Sequence, residues 1–315
     1  MSETSLNAPA SARERWIRRT WIWAVMLFCG GIWGLVPTLA KTAIQDGAHP
    51  IGLTWWQGIG GGVLLLVFNL LRGKRLPLDR RHLLFYGFCG LFGTIMPTMA
   101  LFYAAPHVPA GVMAILMSAV PIGAYVFALV LRIDRLEWLR SLGIALGIVG
   151  VALLVLPGSN GGVSPWWALV ALLIPLGYAA ENIFVALRSP RQTGTTILVC
   201  GMVLTGGILI TPVMLATGTF YPIAFPLTDA ALSIGAIIVV NVLSYAAFLL
   251  LIYAAGPVFA SMSGYFTVLS GILWGVVFLG EGHGAIFWVA LATMFVGMAM
   301  VRERAVAMAP AAAKP

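Results

Sequence analysis

The sequence predicts an all-α integral membrane protein whose ten transmembrane helices form two inverted five-helix repeats. Three observations carry this reading: an apolar composition, the placement of the basic residues, and a faint internal repetition. Of 315 residues, 61% are hydrophobic and 9% are charged, against roughly 25% charged residues in a soluble domain. Mean hydropathy is +0.99, so the chain is read as polytopic.

A hydrocarbon core about 30 Å thick takes roughly 20 apolar residues per helix. Ten runs qualify: 21–42, 50–71, 82–104, 108–131, 136–156, 165–187, 195–217, 230–253, 257–279 and 283–301. Ahead of the first lie Arg13, Arg15, Arg18 and Arg19, and no small-residue cleavage site follows a short apolar core. The first run is therefore expected to be a retained helix, with residues 1–20 as a cytoplasmic tail.

With the amino terminus inside, 17 of the 18 lysines and arginines fall on the cytoplasmic side. They are the four arginines above, then Arg72, Lys74, Arg75, Arg80 and Arg81, then Arg132, Arg135, Arg140, Arg188, Arg191, Arg302, Arg304 and Lys314. Lys41 alone lies outside. The positive-inside rule then places both termini in the cytoplasm, the second tail being 302–315. The net charge of +8 is explained by these short clusters between apolar runs, and no nucleic-acid partner is expected.

Trp16, Trp21, Trp23 and Trp138 fall at inner ends, while Trp55, Trp56, Trp166, Trp167, Trp274 and Trp288 fall toward outer ends, the usual aromatic belts. Trp33 is the exception, near the middle of its span. Cys29, Cys89 and Cys200 all sit within apolar runs without ligand spacing, so they read as packing residues, with no disulfide and no metal site.

Two connections are short enough to force tight antiparallel hairpins: Ala105-Pro106-His107 and Ala254-Ala255-Gly256. They also expose the repeat. Tyr103-Ala104-Ala105 matches Tyr253-Ala254-Ala255 at an offset of 150, and Val149-Gly150-Val151-Ala152 resembles Val296-Gly297-Met298-Ala299 at 147. Gly61-Gly62 matches Gly206-Gly207, and Trp33 matches Tyr178, both at 145. Each pairing is weak alone, but their order describes two halves, 21–156 and 165–301, of five helices each. Because five is odd, the second half crosses the membrane in the opposite sense. Inverted repeats of this kind point to a transporter, with a substrate site near the midplane where the halves meet.

Ten spans, the five-plus-five repeat and acids at equivalent ends of spans four and nine resemble the drug/metabolite transporter superfamily. Those acids are Asp134, in Leu131-Arg132-Ile133-Asp134-Arg135, and Glu281, in Phe278-Leu279-Gly280-Glu281-Gly282. Gly30-Gly31-Ile32-Trp33-Gly34 and Ser263-Gly264-Tyr265-Phe266-Thr267-Val268-Leu269-Ser270 look most like its ten-helix bacterial metabolite exporters, including the aromatic amino-acid exporter type. The resemblance implies a multi-pass protein of the bacterial inner membrane that exports small metabolites. Members often carry an arginine in span two where this chain reads Trp55-Trp56-Gln57, a departure that argues against an anionic substrate.

The polar and aromatic residues near mid-membrane are Trp33, Tyr178, Asn182, Asn241, Ser244, Tyr245 and Tyr265. Any one of them alone is more often helix glue. Together they suit a small neutral metabolite, with rings for a flat or apolar side chain and amide or hydroxyl groups for a zwitterion's ends. Pro37, Pro97, Pro121, Pro175 and Pro212 each remove a helical hydrogen bond within a span. Pro37 and Pro175, within a turn of Trp33 and Tyr178, are the candidate hinges.

Glu181 is the deepest acid, and an ionisable residue at such depth costs roughly 3 kcal/mol on insertion scales. Three readings stay open: a structural pair with a donor such as Asn241 or Tyr245, contact with a substrate ammonium, or carriage of a coupling proton. Its repeat-related position is Val36, so this charge belongs to one half only. Near the outer mouth, Lys41 and His107 could steer substrate, but snorkelling to the interface and capping of a turn are the simpler expectations.

The expected function is secondary transport of small neutral metabolites, amino acids including aromatic ones, out of the cell by alternating access. The alternatives are a uniport-type facilitator, a carrier of another metabolite or of a lipid-linked substrate, and a membrane-embedded transferase. The last lacks support, since His49, His82, His107 and His283 all lie near span ends and no metalloprotease, phosphate-loop or diphosphate motif occurs. The Gly158-Ser159-Asn160-Gly161-Gly162 segment is too short to cradle a phosphate. No enzymatic activity, cofactor or metal is expected. The partners are a small-molecule substrate, the lipid bilayer and, on one reading of Glu181, protons; a monomer is expected to suffice.

Overall fold

The computed structural model describes residues 12–155, 163–190, 193–255 and 263–300, and among these there is no strand. In chain order the helices are α1 (Ala12–Trp33), α2 (Val36–Gln45), α3 (Pro50–Leu71), α4 (Arg80–Cys89), a π-helical segment (Gly90–Ile95), α5 (Met96–Ala104), α6 (Ala110–Met117) and α7 (Val120–Val130). Then follow α8 (Trp138–Val155), α9 (Pro165–Arg188), α10 (Thr195–Thr217), α11 (Asp229–Ala255), α12 (Ser263–Leu279) and α13 (Ala285–Met300). Among the described residues, seven stretches are long and apolar enough to cross a membrane: Thr20–Gln45, Pro50–Leu71, Arg80–Ala104, Ala110–Val130, Pro165–Arg188, Thr195–Thr217 and Asp229–Phe248. Three shorter apolar helices, Trp138–Leu154, Ser263–Leu279 and Ala285–Met300, pack among them. The first helix begins at Ala12, several residues ahead of the expected span. The tails beyond it, the 158–162 loop and the connection after Ala255 lie outside the described residues.

Three of the long stretches are interrupted, each beside a proline. Between α1 and α2 the N–H of Leu35 reaches the Ile32 carbonyl at 3.0 Å, and Pro37 has no N–H to give to the Trp33 carbonyl four residues back. The Gly31 carbonyl, displaced from that ladder, accepts from Nε1 of Trp274 at 2.7 Å. The π-helical segment runs into Pro97 near the start of α5. Pro121 stands in the first turn of α7 after a break at Ser118 and Ala119. Pro175 and Pro212 lie inside α9 and α10, which continue through them.

Each helix divides its surface between neighbours and the outside. On α3, Val63, Leu64, Val67, Phe68 and Leu71 are exposed along one stripe, while Gly58, Gly61, Gly62, Leu65 and Asn69 are buried along the other. That glycine stripe packs against α10, the most extensive helix pairing in the molecule. A Cβ on Gly58 would lie 2.6 Å from the Cα of Gly207, so the two backbones meet without intervening side chains, as small residues permit within membranes. Nε1 of Trp55 donates to Oγ1 of Thr211 at 2.9 Å near one end of this pair, and Oγ1 of Thr196 donates to Oδ1 of Asn69 at 2.9 Å near the other.

The remaining principal pairings are α8 with α13, α1 with α11 and α12, α2 with α11, α5 with α9, α7 with α9, α6 with α12, α10 with the π-helical segment, α4 with α10 and α3 with α11. The largest buried cluster gathers side chains of α2, α3, α5, α6, α8, α9, α11, α12 and α13, among them Phe102, Met113, Leu116, Ile174, Ile234, Ile272 and Phe287.

Candidate functional site

At mid-depth, α1, α3, the π-helical segment, α9, α10 and α11 leave a cavity lined by Trp33, Gln57, Gly61, Leu65, Gly93, Thr94, Tyr178, Val203, Asn241, Val242 and Tyr245. Each of these residues falls near the middle of its helix or, for Trp33, Gly93 and Thr94, near the middle of the interrupted stretch that carries it. About 30 Å³ is open to the centre of a water molecule, room for about two waters at 10–15 Å³ each. In this conformation the cavity is narrower than an amino acid, so a substrate of that size must widen it.

The rings of Trp33 and Tyr245 face each other across α1 and α11, their centroids 5.3 Å apart at 55°, with Phe248 behind Trp33 at 6.3 Å. Trp33 occupies its place because the helix stops there. The turn at Gly34 and Leu35 ends α1 against α12, where a Cβ on Gly34 would lie 2.1 Å from Oγ of Ser270 and 2.6 Å from the Gly271 nitrogen. The aromatic wall and the broken helix are thus one local feature of sequence.

Four of the expected site residues therefore line one cavity: Trp33, Tyr178, Asn241 and Tyr245. The other three lie elsewhere. Asn182 is exposed. Ser244 is fully buried, its carbonyl accepting the Cys29 thiol at 3.5 Å. Tyr265 sets its ring edge-on to Phe295, centroids 5.2 Å apart. Asn241 spends an amide donor on the Ile237 carbonyl at 2.9 Å.

Glu181 is 8% exposed, and its carboxylate rests against the backbone of Gly93, where a Cβ would lie 2.1 Å from Cδ. Neither Asn241 nor Tyr245 bonds it, and among the described residues no donor does. Gln57, unmarked in the sequence reading, also lines the cavity, and its Oε1 is buried without a partner. The signal was a lone amide in an apolar run, at the place where the family resemblance led one to look for arginine.

At the Lys41 end of the bundle a second polar group forms. Nζ of Lys41 donates to Oε1 of Glu281 at 3.2 Å, and the same carboxylate accepts the N–H groups of Ala110 at 2.8 Å and Gly111 at 3.1 Å. It thereby caps α6 with negative charge where the helix dipole favours it. Nε2 of His283 lies 4.0 Å from Glu281, beyond hydrogen-bond reach, and its ring stacks on Phe287 at 3.8 Å. Burial pushes the His283 pKa down, against the upward pull of the Glu281 carboxylate. His107 stacks flat on Trp167, centroids 3.9 Å apart. At the arginine-rich end, Asp134 stays local, accepting from Nη1 of Arg140 at 2.7 Å.

Helices long and apolar enough to cross a membrane thus surround a polar, aromatic cavity at mid-depth. Residues 20–156 match the EamA-like transporter family. Over 277 residues, 86% of this chain and 87% of the relative, the sequence is 27% identical to YedA, an uncharacterized inner membrane transporter of Escherichia coli strain K12. It is also 27% identical over 154 residues, 45% of this chain and 51% of the relative, to a Streptantibioticus cattleyicolor protein named "Probable terminal-alkyne amino-acid exporter". A solved crystal structure 20% identical in sequence superposes with a TM-score of 0.58, covering 89% of this chain and 96% of its own. At that identity the likeness is one of fold.

Proposed function

We propose that this chain is a secondary transporter that exports small neutral metabolites, amino acids including aromatic ones, by alternating access around the mid-depth cavity. The observation that carries the reading is the pairing of the cavity's six walls. Under the repeat read from sequence, α1 with α2 corresponds to α9, α3 to α10, and the span holding the π-helical segment to α11. Among the described residues, the cavity is lined by these three related pairs and by nothing else. Trp33 and Tyr178, matched at an offset of 145, both line it.

The helix pairings support the same arrangement of ten spans in two inverted halves, 21–156 and 165–301. Exchanging the halves carries α3 with α10, α8 with α13, and α6 with α12 onto themselves. It also carries α1 with α11 onto α9 with α5, α1 with α12 onto α9 with α7, and α4 with α10 onto α11 with α3. Such symmetry lets each half adopt the other's shape, which is the basis of alternating access.

Substrate would lie with its side chain against Trp33, Tyr178 and Tyr245. Asn241, Gln57 and the Trp33 carbonyl, released by Pro37, supply polar contacts. The break at Trp33–Val36 favours Pro37 as a hinge over Pro175, which α9 passes without interruption. Access from the Lys41 end is closed by Glu281, which ties α2, α12 and α6 together, whereas Asp134, its repeat counterpart, binds only its own neighbourhood. The sense of transport follows the name of the Streptantibioticus relative, and the positive-inside pattern puts both termini in the cytoplasm of a bacterial inner-membrane protein.

Reconstitution tests the reading. Liposomes loaded with unlabelled phenylalanine should accumulate labelled phenylalanine by exchange, without net current. Movement of a sugar phosphate or lipid, with all neutral amino acids inert, would contradict the substrate class; exchange accompanied by channel-like current would contradict the carrier mechanism.

A further inference from the structure

The cavity's polar groups are lopsided. Among its lining residues there is no lysine, arginine or histidine. Glu181 stands behind Gly93 with no donor, 92% buried by its 8% exposure, and Oε1 of Gln57 is a second buried acceptor without a partner. One amide donor of the lining, Nδ2 of Asn241, gives one of its two N–H groups to its own helix. Buried acceptors of this kind are costly until a donor arrives, and a carboxylate calls for a cationic one. Three aromatic side chains, Trp33, Tyr178 and Tyr245, line the same small space, and ring faces attract a cation and repel an anion.

Glu181 does not itself line the cavity, and Gly93 is the residue that stands between them. Gly93 is itself a lining residue, and its missing side chain leaves the carboxylate directly behind the backbone; any Cβ there would strike Cδ at 2.1 Å. The π-helical segment that carries Gly93 and Thr94 presents this bare backbone at mid-depth, a use for which such segments are common at functional sites.

We infer that Glu181, reached past Gly93, and Oε1 of Gln57 hold the substrate's ammonium group while no cation holds a carboxylate, so the site recognises monocationic arylalkylamines as well as amino acids. The inference rests on the reading of this cavity as the transport site. The amine end and the apolar tail set affinity, and the carboxylate of an amino acid is dispensable.

Competition against labelled phenylalanine in the exchange assay tests this with three probes of one shape: phenylalanine, phenethylamine and 3-phenylpropionate. Phenethylamine should compete at least as strongly as phenylalanine, and 3-phenylpropionate about 10–100-fold more weakly, the worth of one charge-assisted hydrogen bond. Glu181→Gln should weaken phenethylamine by a similar factor. Gly93→Ala, whose methyl has the movable end of the Glu181 side chain as its nearest neighbour, should weaken it too while the protein still elutes as a folded species. Equal competition by 3-phenylpropionate and phenethylamine, or unchanged phenethylamine competition in both variants, overturns the inference. Exchange of phenylalanine that phenethylamine does not inhibit overturns it alone. Absence of phenylalanine exchange overturns the transport reading, and this inference with it.

Discussion

Nζ of Lys41 lies 3.2 Å from Oε1 of Glu281, joining residues 240 positions apart in the chain. Both side chains are largely buried, 18% and 9% exposed, and the carboxylate also caps α6. Removing one member of such a group strands the other, at about 2 kcal/mol or more. Glu281→Gln and Lys41→Met should therefore each lower the thermal midpoint in detergent, and the double variant should lose less than the sum. Additive losses would mean that the two side chains act independently.

His283 sits beside this group with its pKa held down by burial, so its imidazole is neutral in the folded protein at pH 7. Below the ordinary histidine range near 6.5, the unfolded chain binds a proton that the folded chain resists. Stability is thus fully present above that range and falls as the pH drops through it. The thermal midpoint should decline between about pH 7.5 and 5.5, and His283→Gln should flatten the decline. An unchanged slope in that variant would assign the pH dependence elsewhere.

The contact of α3 with α10 leaves no room for a methyl group at Gly58, since the nearest atoms are the backbone of Gly207 at 2.6 and 2.7 Å. Overpacking against backbone costs about 1–3 kcal/mol. Gly58→Ala should lower the thermal midpoint, while Gly31→Ala, with nothing within 4 Å of its added methyl, should not.

The site divides the seven residues singled out from sequence. Trp33→Ala should weaken substrate competition by about tenfold, the loss expected from a ring contact and its buried area. Asn182→Ala should leave competition unchanged, because Asn182 is exposed and outside the cavity. The same loss in both variants would move the site.

Much of the scaffold could be read without coordinates. The span limits 50–71, 165–187 and 195–217 agree with α3, α9 and α10 to within one residue, because proline, glycine and basic residues mark helix ends in a bilayer. The break after Trp33 was approachable too, since Pro37 and Gly34 announce it. What could not be read was the direction of side chains. Lipid and protein interior are both apolar, so hydrophobic periodicity does not separate the exposed stripe of Val63, Leu64, Val67 and Phe68 from the buried one. Asn182 and Asn241 looked alike on that account, yet one is exposed and the other lines the cavity. Gln57 drew notice only as a departure from the arginine of the resembled family, and Gly93 and the π-helical turn gave no signal, since a register shift of one residue leaves no mark on composition. Lys41 looked like a snorkelling side chain because its partner lies 240 residues away.

Accessibility of the cavity from both sides is the decisive property. In a chain with Cys29, Cys89 and Cys200 replaced by alanine, Asn241→Cys would place one thiol in the cavity wall, to be challenged with a membrane-impermeant thiol reagent in right-side-out and inside-out vesicles. Alternating access predicts labelling from both sides, slowed by phenylalanine in each, with Lys41→Met raising the rate from the side on which Lys41 lies. Labelling from one side only, whether or not substrate is present and whether or not Lys41 is intact, would contradict it.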